Sequence, residues 1–212
     1  METRRPAGLT QSLEAAIHQA CTQALEQAET ARRGFRRLDE QDLLHAEALG
    51  RDLRQRARDL TARILEEHAA LRGSDLATRS LLTLPGHLER LADHMDALVD
   101  VVRLVREEGL SFTDRARQEF AMLADGTLEV LRALRDLVRT WNPAMHRHLL
   151  ETARQLDART DEIADGHLER LILGICVPRS SSAFVTVLDH LSSVRRHVVE
   201  MADRMMGPPV TE

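Results

Sequence analysis

Apolar residues recur every three to four positions along almost the whole chain. Between Thr10 and Arg37 they fall at Leu13, Ile17, Ala20, Ala24, Ala28, Ala31 and Phe35, which places one apolar stripe on one face of a helix. A second such run, from Asp39 to Arg72, carries Leu43, Leu44, Ala48, Leu53, Ala57, Leu60, Ile64, Leu65 and Leu71, with Gly73 suited to its C-terminal cap and Ser74 to the next N-cap. A third helix is expected from Ser74 to Arg106, kinked or interrupted at Pro85–Gly86. Ser111 and Asp114 have the spacing of a capping box and predict a fourth helix ending near Thr140. Asn142–Pro143 predicts a fifth, running to about Ile172. Pro178 and Ser180–Ser182 open a sixth, which stops at Gly207.

The second half repeats the first. His87-Leu-Glu-Arg-Leu-Ala-Asp-His94 aligns with His190-Leu-Ser-Ser-Val-Arg-Arg-His197 at an offset of 103. The same offset pairs Leu53 with Leu156, Leu60 with Ile163, Ile17 with Phe120 and Asp100 with Asp203. One constant offset over several helices points to duplication of a three-helix unit. The fold class expected is all-α, six helices in two tandem three-helix bundles related by internal duplication, with boundaries at 8–108 and 111–207.

Composition agrees. Among 212 residues there are one Trp, four Phe and no Tyr, with 10 Gly and 6 Pro, too few aromatics and turn formers for a β-sandwich or barrel. The 29 basic residues are all Arg and face 34 acids, for a net charge of −5. That balance argues against a nucleic-acid partner. No apolar stretch is long enough to span a membrane, and the first residues lack the apolar run of a secretory signal, so a cytoplasmic location is expected. Cys21 and Cys176 form no ligand motif and read as free thiols.

His87-Leu-Glu-Arg-Leu-Ala-Asp-His-Met resembles a signature of the PhoU family of phosphate regulators, Leu-Glu-Arg-Ile-Gly-Asp-His. Asp157-Ala-Arg-Thr-Asp161-Glu-Ile resembles a second family motif, on the middle helix of a half. The resemblance implies tandem three-helix bundles. It further implies a non-enzymatic regulatory adaptor of phosphate uptake and signalling. Its partners would be the ATPase of the phosphate transporter and the sensor histidine kinase, with a homodimer left open. The alternative it carries is a PhoU-like metal-binding or metal-storage protein. In relatives, carboxylate pairs on neighbouring helices bind iron or zinc, and the acids that could do so here are Glu89, Asp93, Asp157 and Asp161.

Each half departs from that pattern. At the shared offset, Arg54 and Arg58 stand where Asp157 and Asp161 do in the other half, and Ser192 and Arg196 stand where Glu89 and Asp93 do. Each half therefore keeps one acid pair and lacks its facing pair. The expectation is replacement of the metal by salt bridges, with no cofactor: Arg54 and Arg58 facing Glu89 and Asp93, and Arg196 facing Asp157 and Asp161. A guanidinium fork bridges carboxylates where a cation would otherwise sit.

Other chemistry is thin. No Gly-rich phosphate loop and no Gly-x-Ser-x-Gly elbow occurs, and no His is preceded three positions earlier by Glu, as ferritin-like di-metal enzymes require. No enzyme is expected. His87 and His94 are two helical turns apart on one face, and His190 and His197 repeat them. They read as a partly buried polar seam between helices. As metal ligands they would need a partner helix bringing acids or histidines.

Overall fold

A computed structural model of the chain describes residues 9–70 and 80–206. Among the described residues six long helices follow one another: α1 (Gln11–Arg37), α2 (Glu40–Ala70), α3 (Leu84–Glu107), α4 (Asp114–Thr140), α5 (Pro143–Ile172) and α6 (Pro178–Met206). No strand occurs among the described residues. Helices α1, α2 and α3 pack against one another, as do α4, α5 and α6. The two bundles meet where α1 lies on α4 and α3 lies on α6.

The duplication shows in the backbone itself. Shifting the ends of α1 by 103 residues gives those of α4. Both helices are capped by threonine: Thr10 Oγ1 accepts from the Leu13 amide at 3.1 Å and Thr113 Oγ1 from that of Ala116 at 3.2 Å. Both end on a left-handed residue that is not glycine, Leu38 at φ 55° and Trp141 at φ 47°, again 103 apart. Thr113 caps α4, not Ser111, because it sits directly before the first helical residue and presents its hydroxyl to the free amides.

The helical run is interrupted beside Pro85, as expected: residues 80–81 are helical, 82–83 form a turn and α3 begins at Leu84. Pro85 lies in the first turn of α3, where an amide donor has no intrahelical partner to lose. The caps expected at Gly73 and Ser74 fall outside the described residues.

One core runs through both halves. Ile17, Leu53, Leu88 and Met95 of the first share a buried cluster with Leu131, Leu149, Val198 and Met201 of the second. Each such side chain contributes about 1.5–3 kcal/mol through burial. A second cluster, around Phe120 and Phe184, lies between α3, α4, α5 and α6. Phe35 of α1 packs edge-on against Phe120, with ring centroids 5.4 Å apart. Charged and titratable residues line, among other places, the outer junctions α2–α3 and α5–α6 and the seam α3–α6.

Candidate functional site

In the first half, Arg54 of α2 reaches across to α3. Its Nε donates to Asp93 Oδ1 at 2.9 Å and a terminal nitrogen to Asp96 Oδ2 at 2.5 Å. Asp96 also accepts from Gln27 of α1 at 2.9 Å, so three helices meet at this carboxylate. Burial pushes the Asp96 carboxyl above its ordinary value, and the Arg54 guanidinium pulls the other way. Gly50 makes room for the arrangement: a Cβ there would lie 2.7 Å from Asp96 Oδ1 and would also meet Gln27 Nε2. Arg58 turns instead along its own helix, donating to Gln55 Oε1 at 2.8 Å. Glu89 has no ion pair to it, because an exposed arginine loses less freedom bonding one turn back than reaching to another helix.

The second half has the opposite polarity. Asp157 of α5 occupies the position equivalent to Arg54, and its partner on α6 is Arg195, whose Nε donates to Asp157 Oδ1 at 2.9 Å. The expected Arg196 is exposed and donates to Ser193 Oγ at 3.3 Å. The reason is rotational. Adjacent helical residues point about 100° apart, and the packing of α6 turns position 195 inward. Arg195 is fully buried, at 0% exposure. Its terminal nitrogens donate to Thr127 Oγ1 at 3.2 Å, Thr160 Oγ1 at 2.8 Å and Ser192 Oγ at 2.8 Å. Asp161 is exposed and acts on Arg195 through its charge.

Between the halves lies a column of four histidines. His87 of α3 faces His197 of α6, with Nδ1 atoms 3.2 Å apart. His94 faces His190 in the same way at 3.1 Å. The rings of His94 and His197 stack between the two pairs, with centroids 5.5 Å apart. Glu200 Oε2 stands 3.3 Å from His87 Nδ1 and 3.6 Å from His197 Nδ1. Burial holds all four histidines below their ordinary value of 6.5. Sequence reasoning placed the histidines on one face of each helix but did not see Asp96, Arg195 or Glu200. A signal for Glu200 was present, since it lies one turn beyond His197.

No family model matches the chain, and no curated protein matches it in sequence. Solved structures do. The phosphate transport system regulatory protein PhoU from Streptococcus pneumoniae superposes with a TM-score of 0.78 at 16% identity, over 95% of this chain and 97% of that one. PhoU from Pseudomonas aeruginosa superposes with a TM-score of 0.70 at 16% identity, over 92% and 94%. The fold is PhoU-like.

A carboxylate-bound iron or zinc cluster, which resemblance to PhoU implies, does not fit the acids of this PhoU-like chain. Arg54 already holds Asp93, and Arg195 already holds Asp157. A cation at either place would meet a guanidinium of like charge and displace its bonds. Among the described residues, the group of three metal-capable side chains that converges is His87, His197 and Glu200. The remaining candidates are quiet. His146 is buried and bonded to Asp203 Oδ1 at 2.9 Å, and burial pushes the Cys21 thiol up to about 12, which leaves it unreactive.

Outside the charged junctions, the turn from α5 to α6 is apolar and open. Ile172 and Leu173 are 77% and 72% exposed, and Ile175 and Val177 beside them are also exposed. No helix among the described residues is long and apolar enough to cross a membrane.

Proposed function

We propose that the chain is a non-enzymatic regulatory adaptor of phosphate uptake, working in the cytoplasm by binding the ATPase subunit of a phosphate transporter or its sensor histidine kinase. The observation that carries this reading is the likeness, over nearly the full length of both chains, to a protein named as the regulator of a phosphate transport system. An adaptor also needs a surface on which a partner can bury apolar area. The open tip formed by Ile172, Leu173, Ile175 and Val177 offers one, since contiguous apolar groups left in water favour association.

Capture from cells grown at low and at high phosphate tests the reading. The full chain is expected to retain the transporter ATPase or the kinase in amounts that change with phosphate. A chain carrying Ile172→Asp and Leu173→Asp is expected to lose at least about 90% of that capture while remaining helical, as for loss of a central contact. Retention of neither protein at either phosphate level contradicts the reading. A tip that mediates only self-association would show as a concentration-dependent dimer abolished by the same changes.

The alternative reading, a metal-storage protein using the acid pairs, is disfavoured by the guanidinium groups bonded to Asp93 and Asp157.

A further inference from the structure

The histidine seam has the symmetry of a two-fold interface. His87 and His190 are equivalent at the 103-residue offset, as are His94 and His197. His87 meets His197 and His94 meets His190. Contacts that cross in this way, position i to j′ and j to i′, are those of an isologous contact between two copies, here between two halves of one chain. The symmetry predicts two similar ends, yet only one of them carries a carboxylate at the third ligand position. Glu200 stands beside the His87–His197 pair, and its equivalent beside the His94–His190 pair is Ala97.

At the Glu200 end, three potential ligand atoms form a small triangle. The edges are 3.2 Å between the two Nδ1 atoms and 3.3 and 3.6 Å from these to Glu200 Oε2. A tetrahedral zinc ion holds imidazole nitrogen at about 2.0–2.1 Å and carboxylate oxygen at about 2.0–2.2 Å. Ligand atoms at those radii and tetrahedral angles lie about 3.3–3.5 Å from one another. The triangle is thus already close to one face of a coordination tetrahedron. We propose that His87 Nδ1, His197 Nδ1 and Glu200 bind one late first-row divalent cation, zinc above all, and so bolt α3 to α6 across the two halves.

The donor set suits that class of ion, since imidazole with one carboxylate selects zinc and its neighbours over calcium or magnesium. Both imidazoles are kept neutral near pH 7 by burial, the form that coordinates. His87 and His197 are largely buried, whereas the Glu200 side chain is 46% exposed. The ion therefore enters from the Glu200 side and keeps its fourth position toward solvent. Arg90, Arg196 and Arg204 lie within electrostatic reach of the two histidines. They lower cation affinity and favour an anion over water at that fourth position. The site is independent of the adaptor reading and shares no residue with the apolar tip.

Zinc titration of the metal-free full chain tests the proposal, read by retained metal after gel filtration and by the visible absorption of tetrahedral cobalt(II) as a substitute ion. The expected result is about one ion per chain and a rise in Tm on adding zinc. Glu200→Gln and His87→Asn are each expected to weaken binding by about 100-fold or more while helicity is unchanged. His94→Asn is expected to leave binding as it was. Ala97→Glu restores the missing ligand at the other end and is expected to raise the stoichiometry to about two. Retention of no zinc by the wild-type chain at micromolar metal, or unchanged affinity in Glu200→Gln, overturns the assignment. An Ala97→Glu chain that stays at one ion overturns the symmetry argument that singles out Glu200.

Discussion

The α2–α3 and α5–α6 junctions occupy equivalent places in the two halves and are built with reversed charge. In the first, an arginine on the middle helix grips two aspartates on the third. In the second, an aspartate on the middle helix receives an arginine from the third. Their burial differs as much as their polarity. The Arg54 side chain is 25% exposed and Asp93 63%, so water and salt screen that pair. Arg195 is at 0% and depends on Asp157 together with hydroxyls from Thr127, Thr160 and Ser192. A buried guanidinium is tolerated only when its donors are satisfied. The lesson is that one position can be held by either sign, but the side that goes inward must bring a hydrogen-bonding shell with it.

Breaking the buried junction should have the largest effect. Arg195→Ala is expected to cost about 3 kcal/mol in chemical denaturation, from the cavity and the lost charge-assisted bonds together. Acid should come next, acting at the seam between the halves. Burial holds His87, His94, His190 and His197 below 6.5, so on acidification the unfolded chain takes up protons before the native chain does. Stability from this source is complete above pH 6.5 and drains as pH falls toward the lowered native values. The Tm of the metal-free chain is expected to fall by about 5 °C between pH 7 and pH 5, and a His94→Gln, His190→Gln chain should lose less. At the first junction, Gly50→Ala is expected to cost about 1–2 kcal/mol, because the new methyl pushes Gln27 and Asp96 apart. Arg54→Ala should be mildest, about 1 kcal/mol at low salt and less at 0.5 M.

Much of this was legible in the sequence. The helical period, the Asn142 cap and the repeated histidine spacing depend on local chemistry, which residues near one another in sequence reveal. What was missed depends on rotation and packing. Arg195 and Arg196 are adjacent and chemically identical, and alignment to Asp93 selects the second. Only the packing of α6 decides which one turns inward. The interruption before α3 was legible from Pro85, which cannot continue a helix from the preceding turn and takes the first turn of the next. Asp96 and Glu200 lie one turn from residues already singled out. They were overlooked because a motif fixes spacing along one helix, while a site draws on what the neighbouring helix brings to the same level. Crossed contact between the two histidine pairs follows from duplication plus a two-fold axis, and the axis is not written in a linear alignment.

Paired charge joins both junctions, and the inward guanidinium of the second half carries more than the screened one of the first. Double-mutant cycles on Arg195 with Asp157 and on Arg54 with Asp93, measured side by side by urea denaturation, test that most directly. The predicted coupling is above about 1.5 kcal/mol for Arg195–Asp157 and below about 1 kcal/mol for Arg54–Asp93. Equal couplings, or a larger one in the first half, would contradict it.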